Sequence, residues 1–171
     1  MSDMTSTPDS IQPDMRPTPR GYGLLALFIL AVFSIGSAIG IIFTPGEWYA
    51  ALQKPVFNPP NWLFGPVWTT LYIMIGIAGW RTMRSDRAGL QTNLWFGQMV
   101  FNFLWSPMFF GLHLMWVAAF VALGMLATSA AFALVARRNG DVVSALLFVP
   151  YLAWISFALL LNVTLAVMNP A

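Results

Sequence analysis

Of the chain's 171 residues, 58% are hydrophobic and only 8% charged, against about 25% charged in a soluble domain, which excludes a water-soluble globule and makes this a membrane protein. A net charge of +2 is too small to argue for a nucleic-acid partner, and the absence of cysteine excludes disulfides, thiolate metal sites and cysteine nucleophiles. The length fits one domain.

Residues 1–20 set Pro8, Pro13, Pro17 and Pro19 among Ser, Thr and Asp. Such a mixture cannot offset its ordering entropy by burial, so a disordered N-terminal tail is expected. A cleaved signal peptide is disfavoured by Asp3, Asp9 and Asp14 and by the full-length apolar run that follows.

Crossing a bilayer takes roughly 20 helical residues, and the charges divide the rest of the chain into runs of that size. Gly21 to Gly46 is uncharged and predicts a first span at about 22–43. The next stretch, WYAALQKPVFNPPNWLFGPVWTTLY from Trp48 to Tyr72, is a proline-rich, aromatic loop that runs into an apolar helix. Loops are normally polar because their backbone must reach water, so this one is expected to cover something apolar, as a lid over a ligand pocket.

The prolines at 55, 59 and 60 push the second helix start to about Asn61, giving a span at 61–80. Ala88 to Ala136 holds no charge and is long enough for two crossings, at about 90–111 and 115–136, with the turn at Gly111 to His113. Asp141 is the last charge, and a fifth span follows at 142–167. The fold class expected is therefore an all-α integral membrane bundle of five transmembrane helices over residues 21–171. Membrane strands would be shorter and alternating.

With five spans, Arg16, Arg20, Arg81, Arg84, Arg87, Arg137 and Arg138 fall on one side, and Lys54 stands alone on the other. The positive-inside rule then places the tail in the cytoplasm, if the protein sits in a bacterial inner membrane, with the aromatic loop outside.

Polar residues within spans usually face the bundle interior. Gln98, Asn102 and Trp105 share one face of the third span, Trp154, Ala158 and Asn162 one face of the fifth, and Trp68 and Tyr72 one face of the second. If these faces converge they form an apolar cavity with a few placed polar atoms, suited to a flat hydrophobic ligand. Simpler roles stand beside this one. Trp48, Tyr49, Trp80, Trp95 and Trp116 could anchor the bundle at the membrane interfaces. Gln98, Asn102 and Asn162 could join helices by hydrogen bonds, and Gly36 and Gly40 could mark close helix packing.

No Asp, Glu, Lys or Arg lies within a span, which disfavours carboxylate proton relays, ion-coupled transport and paired-carboxylate hydrolysis. His113, the one histidine, has no Asp or Cys near it in sequence. It reads as a turn residue, with a haem axial ligand as the alternative.

Three blocks, WYAALQKPVFNPPNWLFGPVWTTLY, GQMVFNFLWSPMFFG and LLFVPYLAWISFALLLN, resemble the signature blocks of the tryptophan-rich sensory protein or translocator protein family (TspO/MBR, the peripheral-type benzodiazepine receptor family). The resemblance runs from about Leu24 to Met168. It implies a five-helix bundle, commonly a homodimer, whose first loop folds over a pocket for porphyrins such as protoporphyrin or haem, and for sterol or drug-like molecules in many members. It implies no required cofactor, the porphyrin being a ligand. Ligand-binding residues carried over by the resemblance are Trp48, Tyr49, Trp62, Trp68, Asn102, Trp105, Trp154 and Ala158, beside Tyr72 and Gln98 from the helical faces.

The chain departs from the family pattern in two places. Val56 and Phe57 stand where many members have two aromatic residues, and Val163 and Val167 stand where animal members have a tyrosine followed by arginine. Three functions are thus expected in order: a porphyrin receptor or sensor, an enzyme-like light- and oxygen-dependent porphyrin degrader, and a porphyrin or sterol transporter.

Overall fold

The computed structural model describes residues 19–85 and 89–170, and every regular element among them is helical. The tail expected over residues 1–20 lies outside the described residues except at its end, where Pro19 and Arg20 already belong to α1 (Pro19–Ile42). Proline suits a first turn, where its missing N–H would have had no partner. Arg87 also lies outside the described residues.

The loop after α1 contains a short helix the sequence did not announce, α2 (Glu47–Ala51). Next, α3 (Asn61–Ser85) begins directly after Pro59 and Pro60 and runs past Trp80 to Ser85. Its last turn carries Arg84, a cation where the helix dipole favours one. Then come α4 (Leu90–Ser106), α5 (Met115–Arg138) and α6 (Val142–Met168).

Four of these, over Gly21–Ile42, Asn61–Ser85, Met115–Arg138 and Val142–Met168, are long and apolar enough to cross a membrane. With 17 residues α4 falls just short, but a π-helical turn, Pro107–Gly111, continues it without a gap. The wider turn has a local cause. Pro107 has no N–H to give the preceding turn, and Leu112 N–H reaches back five residues to the Pro107 carbonyl at 2.8 Å. Together the two segments reach about 30 Å, a hydrocarbon thickness, so the five crossings read from the charge map stand.

Helix α5 packs on both α4 and α6, α6 on α3, and α3 on α1, while thinner α3–α4 and α1–α4 contacts close a ring. Small residues allow the α1–α3 approach. A Cβ at Gly76 would lie 2.8 Å from Ile29 Cα, and one at Gly36 would strike the Tyr72 ring. Trp95, buried, donates from Nε1 to the Ile75 carbonyl at 3.1 Å and stitches α4 to α3. It is not an interface anchor, whereas Trp116 is exposed and placed as one.

A polar clamp ties the helices together at the arginine end. Arg81 donates from Nε and from an Nη to Asp141 at 2.9 and 2.7 Å. Gln91, buried, donates to the Thr82 hydroxyl at 2.9 Å and accepts from Asn139 at 3.1 Å. Asp141 also caps α6 by accepting from Ser144 N–H at 3.3 Å, just after Gly140 has turned the chain at φ +81°.

Candidate functional site

At the opposite end from the clamp, α1, α3, α4 and α5 enclose a cavity of about 600 Å³, and the loop after α1 lies across it. Aromatic rings supply much of the wall: Phe64, Trp68 and Tyr72 from α3, Trp105 from α4, and Phe110 from the π turn. The space itself comes from missing side chains. Gly40 and Gly65 both line it, and a Cβ built on either would meet nothing within 4 Å.

Trp68 and Tyr72 lie one helical turn apart, their ring centroids 5.2 Å from each other, and form a continuous apolar surface. Across from them Asn102 donates from Nδ2 to the Tyr151 hydroxyl at 2.7 Å, and that hydroxyl donates to Gln98 Oε1 at 3.0 Å. Asn102 Oδ1 has no partner in the protein although it is buried in the cavity wall. A buried carbonyl without a donor costs about 1–3 kcal/mol.

The lid is held at both ends. Trp48 stacks on His113 with centroids 4.0 Å apart and planes 15° from parallel, where His113 turns the chain at φ +58°. Tyr49 packs edge-on against Phe109 and Phe110 and donates to Asn58 Oδ1 at 3.0 Å. Burial raises the Tyr49 phenol above its usual pKa, partly opposed by that hydrogen bond, so the hydroxyl stays a neutral donor. Farther along, Gln53 N–H donates to Asn169 Oδ1 at 2.8 Å and Asn169 Nδ2 returns a bond to the Gln53 carbonyl at 3.0 Å, fastening the lid to the end of α6.

Of the ten residues expected to bind ligand, the structure brings five to the cavity: Tyr49, Trp68, Tyr72, Asn102 and Trp105. Five lie elsewhere. Trp48 is spent on His113. Trp62, at the first turn of α3, is 72% exposed and faces away. Gln98 is fully buried behind Tyr151 and acts only through it. Trp154 lines a separate external groove between α3 and α6 and packs on Phe64 from behind, with centroids 5.7 Å apart. Ala158 is half-buried on α6 and does not line the cavity.

Asn162 takes the joining role: it accepts from Trp105 Nε1 at 3.1 Å and donates to the Met115 carbonyl at 2.9 Å. Sequence reasoning passed over the α1 wall of Gly36, Ser37 and Gly40, and also Phe110 and Met125. The Gly36–Gly40 pair was the available signal, and its two members differ. Gly36 makes a close helix contact, whereas Gly40 leaves space. Among the described residues no group of three His, Cys, Asp or Glu could hold a metal. The His113 ring is stacked under Trp48 outside the cavity wall, which leaves it the turn role.

The model of the TspO/MBR family matches residues 27–168. Protein CrtK of Rhodobacter capsulatus is 40% identical over 155 residues, covering 86% of this chain and 93% of that protein. Translocator protein of Homo sapiens is 39% identical over 138 residues, 75% of this chain and 80% of its own. Tryptophan-rich sensory protein of Cereibacter sphaeroides is 37% identical over 138 residues, with 81% and 87% covered.

Proposed function

The chain belongs to the TspO/MBR family of multi-pass membrane proteins, and from that premise we propose that it is a receptor or sensor that binds a porphyrin in the cavity beneath its first loop. The observation that carries the reading is the aromatic wall of Trp68 and Tyr72 along a cavity whose lining, among the described residues, carries no charge. A tetrapyrrole offers a large π-face to these rings. The cavity volume falls within the range of small-molecule sites, about 300–1,000 Å³.

Titrating protoporphyrin into the purified protein in the dark and following tryptophan fluorescence tests this. Saturable quenching is expected, with affinity falling about tenfold in Trp68→Ala, since aromatic contacts contribute about 0.5–1.5 kcal/mol beyond the area they bury. Trp154→Ala is expected to cost less, because that ring backs Phe64 instead of lining the cavity. Unchanged affinity in Trp68→Ala would overturn the placement.

A second reading, light- and oxygen-dependent porphyrin breakdown, is favoured by the character of the wall. It carries no carboxylate, ammonium or imidazole, but it holds the oxidisable rings of Trp68, Tyr72 and Trp105. Light and dioxygen would drive such chemistry without an acid or base. Illumination in air should bleach the Soret band faster with protein than in detergent alone, with a dark control; equal rates would exclude it.

For orientation, we place the clamp end in the cytoplasm on the strength of Arg81, Arg84, Arg137 and Arg138. A reporter active only outside the cytoplasm, fused after Ala171, should then be active.

A further inference from the structure

The cavity does not end at the lid. A second, smaller space of mixed polarity, lined by Lys54, Asn58, Pro59, Pro60 and Ala50 of α2, adjoins it, and the two share Pro45, Tyr49 and Asn61 in their walls. Among the described residues, none lining the inner cavity carries a charge, and Lys54 is the only charged one lining the outer space. The neighbouring acid, Glu47, is exposed and lines neither.

The ammonium of Lys54 is held in place. It donates to the Ala50 carbonyl at 2.9 Å and the Leu52 carbonyl at 3.1 Å, and it lies over the Tyr49 ring, 4.9 Å from its centroid. An ammonium has three N–H donors, so two fix its position and one is left over. A positioned cation with a spare donor, in a recess of mixed polarity that adjoins an apolar aromatic cavity, is suited to an acid group attached to a flat hydrophobic body.

We propose that Lys54 is the residue that recognises the carboxylate of an amphiphilic aromatic acid, whose ring system occupies the inner cavity while its acid chain reaches the recess. This rests on the porphyrin reading above and adds to it a rule of selection: acids are preferred over their neutral esters. Tyr49, shared by both walls, separates the two halves of the ligand, its ring toward the apolar part and its hydroxyl turned to Asn58.

The test compares protoporphyrin with its dimethyl ester, which keeps the ring and removes both charges. Each is titrated in the dark against the full-length wild-type protein, Lys54→Met and Lys54→Arg. Wild type should favour the diacid by on the order of fivefold, the size of one partly solvated charge contact. The preference should shrink as salt is raised. It should vanish in Lys54→Met, with ester affinity unchanged, and persist in Lys54→Arg.

Equal binding of acid and ester by wild type would overturn the proposal, as would a preference that survives Lys54→Met. If Lys54→Met weakened both ligands equally, Lys54 would be a brace for the lid and not a reader of carboxylate. Ester binding without acid preference would sink this inference and leave the porphyrin reading standing; binding of neither ligand by wild type would end both.

Discussion

Asn102 donates to the Tyr151 hydroxyl at 2.7 Å, so the orientation of a polar side chain that α4 contributes to the cavity wall is set from α6. Nδ2 is spent on Tyr151, and Oδ1 is left buried without a partner. Tyr151 in turn is fixed by donating to Gln98, and the three residues form a relay of position.

Tyr151→Phe should therefore act on stability and on ligand together. It leaves Asn102 Nδ2 and Gln98 Oε1 without their partner in a buried setting. Hydrogen bonds inside membrane bundles are worth about 0.6 kcal/mol on average and up to about 1.7, so a loss of about 1 kcal/mol is expected in detergent unfolding. Free to turn its amide, Asn102 should also bind protoporphyrin a few-fold more weakly. A variant that unfolds earlier yet binds normally would show that the relay braces the helices without orienting the site.

The glycines of α1 give a sharper test of the cavity wall. Gly40→Leu should lower porphyrin affinity by about tenfold without unfolding the protein, because its side chain enters open space and leucine is a better helix former than glycine by roughly 0.8 kcal/mol. Ala158→Phe should leave affinity unchanged, since position 158 is off the cavity. Quenching titrations on both variants, with circular dichroism to check folding, decide the matter; the reverse pattern would move the site to α6.

The five spans were legible because charge is nearly absent inside a membrane, so Arg81, Asp141 and their like act as punctuation. Helical spacing also grouped Trp68 with Tyr72 and Asn102 with Trp105 correctly. The same rule failed to place Trp154 and Ala158, because spacing fixes which residues share a face but not which neighbour that face meets. Here α6 sits beside α3, and Trp154 falls on the outer side of that seam. Gly40 was opaque for a different reason: a cavity is made by what side chains leave empty. Helix α2 was hidden because five residues are too few for a helix to form by propensity alone; its shape depends on Tyr49 being buried against Phe109 and Phe110.

Asn169 should control how fast ligand leaves. Its reciprocal bonds with Gln53 join the lid to α6 across 116 residues of sequence and lie in an exposed position. Asn169→Ala removes both while touching no cavity residue. At about 0.5–1.5 kcal/mol per bond, a freer lid should raise the protoporphyrin dissociation rate about fivefold, with a smaller effect on affinity. Stopped-flow displacement measures it; an unchanged rate would mean ligand leaves without the lid moving.

The clamp at the far end makes stability depend on acid. Burial alone would raise the Asp141 carboxyl, but its hydrogen bonds from Ser144 and Arg81 and the Arg81 charge outweigh that, and its pKa lies below the ordinary carboxylate value. A folded-state pKa below the unfolded one gives stability that is complete above the ordinary carboxyl range and is lost as pH falls through it toward the folded value. Asp141→Asn separates the charge from the cap, because asparagine also caps a helix N-terminus well. The wild type should unfold at a higher temperature than Asp141→Asn at neutral pH, by the equivalent of about 1 kcal/mol for a partly solvated pair. The gap should narrow as pH falls below the ordinary carboxyl range toward the lower folded-state value. A gap that stayed constant as pH fell through that range would show that the difference comes from shape and not from the Arg81–Asp141 charge pair.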